Sequence, residues 1–231
     1  MAKARQIEPI GWVRSDFRQK FGIPRQSGLV QELEARVVFA PEYRDPEALR
    51  GIEGFSHLWL IWQFSGALRE RWRPTVRPPR LGGNTRVGVF ATRSPYRPNP
   101  IGLSSVRLLG VDWDTPEGPV LRVAGADLMD GTPIYDVKPY LAYADSHPDA
   151  VDGFAAATQR RRLAVECPPA LLARLPAEKQ AAALGVLAQD PRPAYQDDPE
   201  RVYGMEFAGY NIRFTVQDDR LTVQDIAAAG R

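Results

Sequence analysis

The stretch Arg86–Leu109, RVGVFATRSPYRPNPIGLSSVRLL, sets two apolar runs, Val87–Ala91 and Leu103–Leu109, on either side of a polar, proline-rich centre. Pro95, Pro98 and Pro100 fix φ and cannot donate to a sheet ladder, so the centre is neither a continuous strand nor a helix. Around them stand Arg93, Ser94, Tyr96, Arg97 and Asn99. Three prolines in six residues hold a loop more firmly than an ordinary solvated connection requires. Two guanidiniums, an amide and a phenol on a stiff loop between two strands predict a site carried on rigid supports; the alternative is a solvated basic connection.

Upstream, Ile7–Val13 predicts a first strand, with Gly11 a candidate bulge, and Leu33–Phe39 a second. Between them Gly22, Pro24 and Gly28 break regular structure, and the tripeptide Pro24-Arg25-Gln26 sits among apolar Phe21, Ile23 and Leu29. Pro41–Leu49 is a short helix candidate. Ser56–Phe64, SHLWLIWQF, predicts a strand buried on both faces, with His57 at its entry as either a hydrogen-bonded core residue or a functional one. Arg69–Thr85, with Pro74, Pro78, Pro79, Gly82 and Gly83, is too long an irregular segment for a slack connection, and Trp72 and its arginines argue for order with a partner.

Downstream, Val106–Val111 and Val120–Gly125 are strand candidates. In Ala126–Tyr143, Asp127, Asp130 and Asp136 suit Mg²⁺, arginine pairing or turn chemistry, and their spacing matches no EF-hand loop. Composition shifts to Ala, Asp and Arg over residues 146–164, which predicts a linker. Two short helices, 169–175 and 177–188, follow, then DPRPAYQ (Asp190–Gln196) with Arg192 between prolines, a hairpin over Val202–Val216 turning near Ala208-Gly209, and a last strand at Leu221–Ile226. The fold is therefore expected to be mainly β: a closed sheet or barrel over 1–145, the linker 146–164, and a small α+β domain over 165–231.

The formal net charge of the 231 residues is only +2, but residues 69–97 hold eight arginines and one acid, Glu70. Such a distribution suits phosphates or nucleic acid, or is a basic face balanced by acids elsewhere. One cysteine and two histidines provide neither an intrachain disulfide nor a zinc constellation, so no metal is expected. Neither a signal-peptide h-region nor a membrane-spanning apolar run appears, which predicts a cytoplasmic protein without membrane contact. GxGxxG after the first strand, GxxxxGK[ST] and GxSxG are all absent, which argues against dinucleotide-binding, P-loop and serine-hydrolase chemistry.

GVFATRSPYRPNPIGLS, with FGIPRQ, GIEGFSHLWLIW, DLMDGTPIYDVKPYL and DPRPAY, closely resembles the TsaA-like family, the tRNA methyltransferase O proteins, over almost the whole chain. The resemblance implies a single-sheeted β-barrel, a homodimer, and S-adenosylmethionine as methyl donor. It also implies a substrate, the threonylcarbamoyl-modified adenosine beside the anticodon of threonine tRNA, methylated on N6. Cofactor contacts are implied at Pro24, Arg25, Gln26, His57, Leu58, Arg93, Leu103, Ala126, Asp127 and Leu128. Among these, Arg25 or Arg93 suits the cofactor carboxylate and Asp127 the ammonium or ribose, with Leu58, Leu103 and Leu128 to line the adenine. Tyr135, Asp136 and His57 are candidates for a general base, and Asn99 for orienting the acceptor. Arg73, Arg77, Arg80, Arg97 and Arg192 would meet anticodon-stem phosphates and Tyr96 a splayed base. A non-catalytic tRNA-binding barrel, or a methyltransferase acting on another nucleotide or a small molecule, are the rival readings.

Overall fold

The computed structural model describes residues 6–67, 71–78, 81, 84–158, 162–192 and 198–230. Among the described residues eight strands precede residue 140: β1 (Gly11–Arg14), β2 (Glu34–Phe39), β3 (His57–Gln63), β4 (Thr75–Val76), β5 (Val87–Gly88), β6 (Ile101–Asp112), β7 (Val120–Ala124) and β8 (Pro133–Pro139). Six of them close a barrel in the order β1-β2-β7-β6-β3-β8, and every neighbouring pair is antiparallel. Closure leaves no unpaired edge, and the interior is filled by Val13, Val37, Leu58, Leu60, Val106, Leu121, Val123 and Ile134, all at most 1% exposed.

β3 is not equally buried on its two faces: Leu58, Leu60 and Trp62 point inward, whereas His57, Trp59, Ile61 and Gln63 are half-buried on the outside. Gly11 is no bulge. It lies in register with Phe39 on one side and Ile134 on the other, and a Cβ there would stand 2.3 Å from the Val38 carbonyl oxygen. Gly102 answers a similar demand, since a Cβ would fall 2.2 Å from the Trp62 ring.

The run Val87–Ala91 is a strand for only two residues; Val89–Ala91 is a 3-10 turn that buries Val89 and exposes Phe90. Pro41–Leu49 is likewise two 3-10 turns, Pro41–Tyr43 and Pro46–Leu49, because Pro46 interrupts the helical ladder and the Asp45 carboxylate caps the Glu47 N–H.

Residues 146–164 hold a 3-10 helix, Gly153–Thr158, and their last residue opens an unexpected strand, β9 (Ala164–Glu166). After α1 (Ala142–Asp145), the helices are α2 (Pro169–Leu172) and α3 (Ala177–Ala188), packed on a sheet of order β10-β11-β12-β9. Here β10 is Tyr203–Phe207, β11 Tyr210–Gln217 and β12 Arg220–Ala228, with β9 parallel to β12. The β10–β11 turn has Ala208 at φ 51° and Gly209 at φ 80°, the two positive angles of a tight hairpin.

The core of this second unit includes three residues from the β1–β2 connection: Phe17, Val30 and Leu33 pack with Leu175, Val186, Met205, Phe207 and Ile212. Backbone bonds reinforce the join, with the Ala208 N–H donating to the Asp16 carbonyl at 3.0 Å. Gly22, at φ +93°, lets the chain pass against Met205, whose sulfur would lie 2.5 Å from a Cβ. The segment carrying Pro24-Arg25-Gln26 therefore leaves the barrel, is anchored in the second unit, and returns.

Candidate functional site

A cleft of about 1950 Å³ opens where that segment, the proline-rich loop and the second unit meet. Pro24, Arg25 and Gln26 form one wall, Arg93, Tyr96 and Arg97 another, and Arg71, Arg73 and Arg77 a third; Asp190 and Arg192 line it from the second unit and Asp152 from the segment that joins the two. Of the expected RNA-binding arginines, Arg80 lies outside the described residues.

The proline-rich loop is held by its own polar groups. Thr92 Oγ1 donates to the Val89 carbonyl (2.8 Å), and the Ser94 and Tyr96 N–H groups donate to the Thr92 and Ser94 hydroxyls. Arg97 Nη1 donates to the Thr92 and Ser94 carbonyls at 3.0 and 3.3 Å, so this side chain braces the loop while lining the cleft. The Asn99 carbonyl accepts from the Ile101 N–H at 2.8 Å, while its exposed side chain makes no hydrogen bond among the described residues.

Three expected residues converge. Arg93 Nη1 donates to Gln26 Oε1, joining the two loops, and the Arg93 charge acts on Asp127. Asp127 Oδ1 accepts from Ser104 Oγ at 2.6 Å, and Ser104 Oγ accepts from Trp62 Nε1 at 3.0 Å. Burial raises the Asp127 pKa above its ordinary value, and the Ser104 hydroxyl and Arg93 pull it only partly back. Ser104 was not singled out from sequence. Its signal is a hydroxyl at an inward position of β6, where Gly102 and Val106 are its interior-facing neighbours.

Other expected residues lie elsewhere. The Leu58, Ala126 and Leu128 side chains are in the barrel core, at 0%, 4% and 1% exposure. Leu103 points outward from β6 and is exposed. It shares that outer face with His57, whose Nδ1 is 3.0 Å from Ser56 Oγ, and with Asp136. Leu103 and Asp136 flank Ile61 on opposite strands, two strand spacings or roughly 10 Å apart. The Asp136 carboxylate is 2.8 Å from Lys138 Nζ and accepts from the Val137 N–H. Tyr135 and Asp136 are not on the cleft wall, and neither are Asn99 and Asp127. Gln63, at the other end of the same outer row, is on that wall.

Arg192 is 7% exposed and pairs with Asp190 through Nε and Nη2, at 2.9 and 3.2 Å, a buried ion pair in the cleft wall. Among the described residues no cluster of His, Cys, Asp and Glu could hold a metal, and no helix is long and apolar enough to cross a membrane.

Comparison with known proteins agrees with this architecture. Residues 12–146 match the model of the tRNA-methyltransferase O N-terminal domain and residues 160–229 that of the TrmO C-terminal domain. The chain is 43% identical over 221 residues to the tRNA (adenine(37)-N6)-methyltransferase of Escherichia coli K12, covering 92% of this chain and 94% of that protein. It is 42% identical over 233 residues to a putative S-adenosylmethionine-dependent methyltransferase of Pseudomonas aeruginosa, covering 96% and 97%. The crystal structure of TrmO from P. aeruginosa superposes with a TM-score of 0.80 at 34% identity over 99% of both chains.

Proposed function

The chain belongs to the tRNA-methyltransferase O family, and from that premise we propose that it transfers a methyl group from S-adenosylmethionine to N6 of adenine 37 in tRNA. The acceptor, in the finer form of the proposal, is the threonylcarbamoyl-modified adenosine of threonine tRNA. The observation that carries the reading is the meeting of Arg93, Gln26 and Asp127 beside an arginine-lined cleft.

The donor set fits the cofactor. Arg93, held by Gln26, is placed for a carboxylate, with Arg25 on the same wall. Asp127, half-buried and partly desolvated, gains most from a cationic or hydroxylated partner, the ammonium or ribose. When bound, S-adenosylmethionine supplies an electrophilic methyl carbon on a sulfonium sulfur. Transfer is an in-line displacement: the carbon–sulfur bond breaks as the carbon–nitrogen bond forms, and the proton on N6 passes to solvent. What the chain contributes is alignment of nitrogen, methyl carbon and sulfur. Asn99, exposed between Pro98 and Pro100, orients the acceptor, and Arg73 and Arg77 take phosphates. No strong base is required, because the exocyclic nitrogen loses its proton readily once attack develops.

The units 1–145 and 165–231, joined by 146–164, act together in a cytoplasmic homodimer. Its support is the outer sheet face, where exposed Ile101 and Leu103 adjoin half-buried Trp59 and Ile61. The deciding experiment is incubation with labelled cofactor and total tRNA, followed by mass spectrometry of the labelled nucleoside. N6-methylated threonylcarbamoyladenosine in threonine tRNA is expected; label on another nucleoside, or none in tRNA, would overturn the proposal.

A further inference from the structure

Trp72 and Phe90 are 49% and 72% exposed, and both stand on the cleft wall. Their ring centroids are 6.2 Å apart with planes inclined at 31°. The backbone, more than ring contact, holds them there. Trp72 leads into β4 and Phe90 follows β5, and those strands pair Thr75 with Gly88 and Val76 with Val87. The Val89 N–H donates to the Pro74 carbonyl at 2.9 Å, and Arg86 Nη1 to Thr75 Oγ1 at 3.1 Å. Burying Val89 at 1% exposure turns its neighbour Phe90 outward.

The surroundings decide what such a pair can hold. Arg71, Arg73, Arg77 and Arg86 line the same wall, and neither of the segments 71–78 and 84–91 contains a carboxylate. A protein surface docked here would bury guanidiniums that have no counter-charge within their own two segments, at a high desolvation cost. A single-stranded polynucleotide brings a phosphate for each arginine and a π-face for each exposed ring. Paired RNA keeps its bases stacked on each other and has none to offer.

We propose that Trp72 and Phe90 form a stacking platform for one unstacked base of a single-stranded RNA segment, with the flanking arginines on the adjacent phosphates. The proposal rests on the tRNA reading above and adds a base-binding site to it.

The test compares binding of an anticodon stem-loop with binding of a fully paired duplex of equal length. Trp72→Ala and Phe90→Ala should each weaken stem-loop binding about tenfold. Duplex affinity, cofactor affinity by calorimetry, and the salt dependence of stem-loop binding should stay as in the parent, because the arginines remain. Trp72→Phe should retain most of the affinity. Abasic substitution through the loop should weaken parent binding at one position, where Trp72→Ala shows no further loss. Unaltered stem-loop affinity in both alanine variants, or equal losses for stem-loop and duplex, would overturn the platform and leave the tRNA reading standing. So would an affinity loss that follows dissociation of a dimer in sedimentation. A parent protein that binds no stem-loop would overturn both.

Discussion

Lys179 Nζ lies 2.7 Å from Asp16 Oδ2, a contact across 163 positions of chain between α3 and the start of the β1–β2 connection. Both side chains are largely sheltered, at 27% and 17% exposure, so the pair is screened less than a surface bridge. It clamps the segment that carries Pro24, Arg25 and Gln26 to the second unit.

Lys179→Ala is therefore expected to destabilise the protein by roughly 1–3 kcal/mol, between the surface and buried limits for ion pairs. It should also raise the cofactor dissociation constant, and Lys179→Arg should restore both. Calorimetric titration below the variant's melting transition measures the second effect; unchanged affinity would mean that the loop keeps its shape without the clamp.

Arg93→Ala removes a charge-assisted contact worth about 1.5–3 kcal/mol. Cofactor binding should weaken by about ten- to a hundredfold, with little change in melting temperature, because the side chain is exposed. Equal affinity in variant and parent would place the cofactor carboxylate elsewhere.

Asp127 connects stability to pH in the direction set by its raised pKa. Folding favours its protonated form. That contribution is fully present below the unfolded value near 3.8 and is lost as pH rises through the higher folded value. Asp127→Asn should melt above the parent at pH 7, the gap narrowing as pH falls toward 3.8, while losing cofactor affinity at pH 7. In the parent, cofactor affinity should fall on acidification sooner than an ordinary carboxylate would dictate. Thermal scans and titrations across pH 4–8 read both; a variant no more stable than the parent at pH 7 would remove desolvation as the cause.

Asn99→Ala should leave stability within about 0.5 kcal/mol, as for surface changes generally, since its side chain bonds to nothing among the described residues. Single-turnover methyl transfer should slow while cofactor affinity holds. A destabilised variant with normal transfer per folded molecule would refute the orienting role.

Arg73→Ala with Arg77→Ala should weaken tRNA binding and make its salt dependence shallower by up to ~1.5 in the log–log slope. Filter binding over a salt series checks this; an unaltered slope would mean that these arginines meet no phosphate.

The barrel was legible because its strands announce themselves by alternation, as in Leu58, Leu60 and Trp62, and because the prolines of 95–100 rule out a strand there. The convergence of Gln26, Arg93 and Asp127 followed from the resemblance together with the stiff loops. What stayed hidden was which way side chains point. A run such as SHLWLIWQF does not tell which face is the interior and reads as buried on both; the expectation of Leu58 at the cofactor comes from the resemblance alone, and its side chain fills the core. Arg192 reads as a free cation between prolines until Asp190, two residues earlier, is seen to neutralise it. Tyr135 and Asp136 are near Leu103 in the sheet and yet outside the cleft, a separation that depends on strand order and cannot be read along the chain.

The anchoring of Phe17, Val30 and Leu33 among residues beyond 162 sets an order on biosynthesis. A ribosome delivers every barrel strand before it delivers α3 and the last sheet, so the barrel can close while its β1–β2 connection still lacks a packing partner. The emerging polypeptide cannot fix Arg25 and Gln26 in place until translation is nearly finished. On the proposed role of Arg25 and Gln26, competence to bind the methyl donor would be acquired at the end of synthesis, and a chain truncated within the final hairpin would carry a formed barrel without a fixed Pro24–Gln26 loop.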